Sequence, residues 1–270
     1  RIKSMKRGEQ KRERRRKKRR RKENRLDMDR SVLDESVAIG NEVVIEGPPL
    51  EALRFQGGRI GSILTVTDSR GKDFRGRVLS LSDKKASLRI FEVFRSSTES
   101  PVEIVLLQAL PEKERMELII QKATELGAST IVPFKSRRSV SLEERDAKQR
   151  KSHRWQEIAI KAVQQSRRGK VPRVEAYRSF EEALELCRGE GLRLLLWEIE
   201  GEPLKKILRP RLPKKIYAMV GPEGGFTEGE VKLAKERGFI PIKLGQRILR
   251  TETAAITLVG ILQYELGDLG

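Results

Sequence analysis

Three short apolar runs, Val102–Leu110, Leu192–Trp197 and Ile216–Val220, constrain this chain more than any other feature. Runs of that length without strict alternation are the mark of strands buried on both faces, which needs a parallel sheet with helices above and below it. The intervening segments supply such helices. Glu112–Leu126 places Met116, Ile119, Ile120, Ala123 and Leu126 at the i, i+3, i+4, i+7 spacing of an amphipathic helix, with Gly127 set to end it. Further helices are expected near Lys148–Arg168, Phe180–Cys187, Val231–Arg237 and Thr253–Glu265. Ser179 with Glu182, and Thr227 with Glu230, have capping-box spacing. Residues 101–270 are therefore expected to form an α/β domain around a mostly parallel sheet.

Residues 37–97 follow another rule. Glu42–Glu46, Ser62–Thr67, Asp73–Leu81 and Lys85–Val93 read as short strands. Breaks fall at Gly47-Pro48-Pro49, Gly57-Gly58 and Asp68-Ser69-Arg70-Gly71, which predicts a small all-β barrel, joined to the later domain through Ser96–Pro101.

The formal net charge of +19 is concentrated at one end: residues 1–25 hold sixteen Lys or Arg against three Glu, a net of +13. A block of that density repels itself and buries no core, so residues 1–30 are expected to form a disordered tail, either simply solvated or attached to RNA phosphates. With one cysteine, Cys187, and one histidine, His153, neither a disulfide framework nor a Cys/His zinc site can be built within one chain. The sequence has no apolar stretch of membrane-spanning length, and no apolar core of a secretory signal follows the basic stretch; a soluble, cytoplasmic protein is expected.

Two segments carry candidate chemistry. Strand Ile216–Val220 runs into Gly221-Pro222-Glu223-Gly224-Gly225-Phe226, and a capped helix opens at Thr227. Such a turn lets backbone approach a ligand where no Cβ intrudes, or is simply a tight strand-to-helix connection. It matches neither a Walker loop nor a dinucleotide fingerprint. The second, Leu244-Gly245-Gln246-Arg247-Ile248-Leu249-Arg250-Thr251-Glu252-Thr253-Ala254-Ala255, sets Arg247, Arg250 and Glu252 around the start of an apolar helix, where the dipole favours anions; its plainer reading is a loop with solvated arginines and Thr251 as a cap.

Together the two segments resemble the bacterial 16S ribosomal RNA uridine-N3 methyltransferases of the SPOUT superfamily. The likeness extends to Lys113, Met116-Glu117, Gln121-Lys122 and Glu125-Leu126-Gly127, and to Arg154-Trp155, Ile158-Ala159, Ala162, Gln165-Ser166, Arg168 and Val171-Pro172, covering about residues 40–270. It implies a C-terminal domain with a deep trefoil knot, an N-terminal PUA-like RNA-binding barrel, a homodimer, and small-subunit ribosomal RNA or the assembled subunit as partner. It also implies S-adenosylmethionine as donor, held by three loops: Leu196-Trp197-Glu198, the turn containing Gly221, Pro222, Glu223 and Gly224, and the segment containing Leu244, Gly245, Arg247, Ile248 and Leu249. Where the family carries a histidine-containing stretch in its barrel, this chain has Pro49-Leu50-Glu51-Ala52-Leu53-Arg54, and the polybasic tail is foreign to the pattern.

Uracil N3 is protonated at neutral pH, so a site for its methylation must stabilise the deprotonated, enolate-like ring. Arginine suits this because it stays charged and donates a fork of hydrogen bonds. Arg250 or Arg168 is the candidate for that role, Gln165 for orienting the base, and Glu252 for proton acceptor or arginine anchor; no metal is called for. Two other readings stand beside this one: a related knotted methyltransferase acting on a ribose 2′-oxygen, and a non-catalytic RNA-binding or ribosome-assembly protein. His153 among charged neighbours reads as solvated or capping, Cys187 as core, and Lys122 with Glu125 as either site-lining or a solvent-facing helical pair.

Overall fold

The structure is a computed structural model and describes residues 31–33, 36–140, 155–208 and 212–270. The polybasic stretch, His153 and the first part of the helix expected from Lys148 lie outside them. The chain divides between Thr98 and Glu99 into two compact units.

The first unit holds β1 (Ser31–Val32), β2 (Glu42–Ile45), α1 (Gly47–Phe55), β3 (Ile63–Thr67), β4 (Asp73–Leu81) and β5 (Ala86–Val93). The five strands form one sheet in the order β1-β3-β4-β5-β2, antiparallel except for the β1–β3 pair. Phe74, Val78, Leu88 and Ile90 meet Leu50 and Leu53 of α1 in its core. The helix occupies the stretch expected to be a break at Gly47-Pro48-Pro49. Prolines in a first turn remove N–H groups that have no helical acceptor, and Leu50 and Leu53, three apart, both turn inward. The Asp68–Gly71 turn is tied by its own side chain, Asp68 Oδ1 accepting from the Arg70 and Lys72 amides at 2.9 Å each.

The second unit runs β6 (Glu103–Ala109), α2 (Lys113–Glu125), β7 (Thr130–Lys135), α3 (Trp155–Ser166), β8 (Arg173–Val174), β9 (Arg178–Ser179), α4 (Phe180–Leu186), β10 (Leu192–Leu196), β11 (Glu202–Pro203), α5 (Leu204–Leu208), β12 (Lys215–Val220), α6 (Glu228–Glu236), β13 (Ile240–Lys243) and α7 (Thr251–Leu266). Its sheet is parallel throughout, in the order β11-β13-β10-β12-β6-β7-β8, with β9 also on β7. Period-two alternation sorts the strands between two cores. Ile104, Leu106, Leu194, Ile216, Ala218 and Ile242 face α2 and α7, whereas Val105, Leu107, Leu195, Tyr217 and Met219 face α4 and α6. In α2, Met116, Ile119, Ile120 and Ala123 are all fully buried. Each of the three larger ones contributes roughly 1.5–3 kcal/mol by leaving water.

Both expected capping boxes are present, at Ser179/Glu182 and Thr227/Glu230. The final helix begins at Thr251, two residues before Thr253, and its N-cap is Arg250 with no side-chain capping bond. Thr251 therefore does not cap it; the hydroxyl is used elsewhere. Two strands carry no clear sequence signal, β7 and β13, each with an internal proline. Pro133 is accommodated because the outer edge of β7 pairs with β8 only through Ile131 and resumes with β9 only at Phe134, leaving no ladder bond at 133 to lose. Cys187 lies in the core and burial pushes its thiol up to about 12, which makes it an inert packing residue.

Candidate functional site

In parallel sheets the carboxyl ends of the strands, with the loops that leave them, form the usual place for a ligand. Here the loops after β10, β12 and β13 converge on one cavity of about 280 Å³. Leu196 and Glu198 contribute from the first loop, Gly221, Pro222, Glu223 and Gly225 from the second, and Leu244, Gly245, Arg247, Ile248 and Leu249 from the third, with Arg250, Thr251 and Ala254 from the start of α7. Glycine permits the close packing of these loops. A Cβ on Gly201 would stand 2.4 Å from the Ile242 carbonyl carbon and 2.5 Å from the Trp197 oxygen, so the first loop can fold back onto β13 only without one. Gly225 and Gly245 adopt φ of +66° and +130°, which side-chain-bearing residues avoid.

The second loop is tied on both sides. On the inside, Gln108 Nε2 donates to Thr251 Oγ1 at 3.1 Å, and Thr251 Oγ1 donates to the Gly221 carbonyl at 2.6 Å. On the outside, Glu223 Oε1 accepts from an Arg115 guanidinium nitrogen at 2.8 Å and from the Glu112 amide at 3.1 Å, while Arg138 donates to the Gly224 carbonyl at 2.7 Å. The turn closes on itself through the Gly225 amide and the Pro222 carbonyl at 2.9 Å. Arg115, on α2, also lies 3.9 Å from Glu252 and 3.6 Å from Glu112. Burial works to lower its pKa, but Glu223, Glu112 and Glu252 together outweigh burial and raise it, so this guanidinium stays charged. Glu230 goes the other way: burial pushes its pKa up, and hydrogen bonds from the Thr227 and Arg137 amides and the Thr227 hydroxyl more than reverse that, leaving it lowered.

Of the residues singled out in the sequence, Trp197 and Gly224 do not line the cavity. Trp197 turns into the opposite core beneath Lys235, and Gly224 packs against Arg138. Arg250 lines it, is exposed, and has no hydrogen-bonding or ion-pair partner for its side chain among the described residues. Glu252 sits just behind, paired with Arg115. Arg168 is elsewhere and fully engaged. Nine-tenths buried, it donates to the Thr124 and Ala128 carbonyls at 2.8 and 3.0 Å and pairs with Glu99 at 2.6 Å. Gln165 lies in a separate open groove between α2 and α3 with Glu117, Gln121 and Lys161. Lys122 and Glu125 form a helical ion pair at 2.9 Å, away from the cavity. Among the residues that line the cavity or tie its loops, sequence reasoning missed Arg115, Lys243 and Gln108. Gln108 had a signal, a neutral amide inside a buried apolar strand, which must find partners. Arg115 had none, being a charged residue on the exposed side of a helical stripe.

The chain is similar to known proteins along most of its length. The RNA methyltransferase domain family matches residues 98–263. The ribosomal RNA small subunit methyltransferase E of Bacillus subtilis is 34% identical over 212 residues, covering 76% of this chain and 82% of that protein. Its counterpart in Aquifex aeolicus is 34% identical over 194 residues, 71% and 81% of the two chains. Among solved structures, a ribosomal RNA small subunit methyltransferase E from Neisseria gonorrhoeae bound to S-adenosyl methionine aligns with a TM-score of 0.65 and 35% identity, over 90% of this chain and all of that one. With more than half its length matched by the domain family and relatives above 30% identity aligned over four-fifths of theirs, this chain belongs to the ribosomal RNA small subunit methyltransferase E family.

Proposed function

We propose that this chain transfers a methyl group from S-adenosylmethionine to N3 of a uridine in 16S ribosomal RNA. The observation that carries the reading is the convergence of three glycine-bearing loops, at adjacent strand ends, on a cavity whose rim presents an arginine with no partner among the described residues. The lining fits the donor. Leu196, Val220, Pro222, Leu244 and Leu249 offer apolar surface for a flat purine, and the loops present backbone groups where Gly221, Gly225 and Gly245 carry no side chain. When bound, S-adenosylmethionine supplies an electrophilic methyl on a positively charged sulfur and leaves as S-adenosylhomocysteine.

The chain's own part is positioning and charge. Arg250 stands at the uncapped positive end of a sixteen-residue helix, where dipole and guanidinium both favour negative charge growing on the uracil oxygens as N3 gives up its proton to solvent water. N3 then forms its bond to the methyl as the sulfur–carbon bond breaks, the bonding pair staying on sulfur, so alignment of two held reactants accounts for much of the rate. Glu252, ion-paired with Arg115, serves as an anchor that fixes the start of the helix. Arg168, enclosed with Glu99, serves the frame around α2 and the loop after α3 rather than the reacting base.

We further propose that the second unit carries the trefoil knot of this family, that the first unit is its PUA-like RNA-binding barrel, that the working form is a homodimer, and that the location is cytoplasmic. Support for these is the family membership. For location it is also that no helix among the described residues is long and apolar enough to cross a membrane. Nucleoside mass spectrometry of 16S ribosomal RNA from cells with and without this protein tests the activity. N3-methyluridine should disappear without the protein, and an unchanged N3-methyluridine content accompanied by a lost 2′-O-methyl nucleoside would overturn the choice of acceptor atom.

A further inference from the structure

Gln108 is a misfit in its strand. It is fully buried within β6, and its Oε1 has no hydrogen-bond partner among the described residues, a penalty that a leucine or methionine of similar bulk would not carry. Packing alone does not explain an amide here. Its other end does: Nε2 donates to the Ala109 carbonyl at 2.8 Å and to Thr251 Oγ1 at 3.1 Å, and reaches the Gly221 carbonyl at 3.4 Å.

The direction of the chain is fixed by chemistry. An amide nitrogen only donates and a carbonyl only accepts, so Thr251, which can do both, receives from Gln108 and passes its own proton to Gly221 at 2.6 Å. The hydroxyl is not used for helix capping, since α7 has no side-chain cap. Holding the Gly221 carbonyl fixes the plane of the peptide that leads into Pro222, a buried residue of the cavity wall whose own carbonyl closes the turn onto Gly225. The same hydroxyl belongs to the residue following Arg250. One buried group therefore registers the glycine turn against the helix that carries the rim arginine.

We propose that Thr251, oriented by Gln108, is a positioning residue that sets the donor-gripping shape of the Gly221–Gly225 turn; this rests on the donor-binding reading above. The outer tie through Arg115 and Glu223 is partly exposed and open to screening by salt, whereas this inner relay is enclosed.

The test is calorimetric titration of the full chain with S-adenosylmethionine, alongside thermal unfolding, for wild type, Thr251→Val, Thr251→Ser and Gln108→Met. Valine keeps the shape and removes the hydroxyl, so donor affinity should fall about tenfold or more, as for one lost buried partner. Serine keeps the hydroxyl and should stay within about threefold of wild type. Gln108→Met should weaken binding like valine, and it carries the test if Thr251→Val fails to fold. Donor binding by both Thr251→Val and Gln108→Met at wild-type strength would overturn the relay, as would a serine variant as weak as the valine one. A wild-type chain that fails to bind the donor would instead overturn the donor reading, and the relay with it.

Discussion

Replacing Arg250 with alanine separates catalysis from folding because of where that side chain stands. It is exposed at the N-cap of α7, makes no side-chain capping bond, and has no ion-pair partner among the described residues. Its backbone carbonyl, which accepts from the Ala254 amide at 2.8 Å, survives the change. Stability should therefore move by no more than about 0.5 kcal/mol, the range of a surface substitution outside any network. Loss of one preorganised donor aimed at developing charge costs about 2.7–4 kcal/mol of barrier, a fall of 10²–10³ in rate. Lysine, which keeps the charge but not the fork, should fall between the two. The assay is single-turnover transfer of labelled methyl to small-subunit particles, with calorimetry of donor binding in parallel. Wild-type turnover in Arg250→Ala would refute the assignment, and a loss traceable wholly to weaker donor binding would move Arg250 from the acceptor to the donor side of the site.

Arg168→Met should behave in the opposite way. It leaves Glu99 and two carbonyls without their buried partner and should destabilise the second unit by about 3–5 kcal/mol, read as a lower denaturation midpoint in urea. Glu230 gives a pH signature. Its pKa is lowered on folding, so its contribution is fully present above the unfolded carboxylate value and is lost as pH falls through the depressed one. The gap in melting temperature between wild type and Glu230→Gln should thus be widest near neutrality and close progressively below about pH 4.5. Deleting residues 1–25, which carry a net of +13, should flatten the salt dependence of RNA binding while leaving methyl transfer in place, measured by filter binding across a salt series.

The parts of this molecule that were legible in advance are those where local chemistry and burial agree. The stripe of α2, the capping boxes at Ser179 and Thr227, and the apolar strands β6, β10 and β12 each state their conformation in a few adjacent residues. The proline-bearing strands β7 and β13 do not, because what permits Pro133 is an interruption in pairing made by β8 and β9, forty residues downstream. The site divides in the same way. Leu196, Gly221 and Leu244 to Arg250 could be placed on three loops from motif and resemblance, and the cavity draws on all three. Arg168 and Arg250 look alike in sequence, yet one is enclosed by Glu99 and two carbonyls and the other has no partner among the described residues. Only tertiary contacts distinguish them. Arg115 gains its place beside Glu223 and Glu252 from residues more than a hundred positions away, and nothing local announces it.

The proposed seat of the methyl donor is formed by the loops after β10, β12 and β13. A crystal structure of the chain grown with saturating S-adenosylmethionine tests it most directly. The donor should lie between Leu196–Glu198, Gly221–Gly225 and Leu244–Leu249, its methyl facing the side on which Arg250 stands. Density for the donor at any other place, with these three loops closed upon one another, would contradict it.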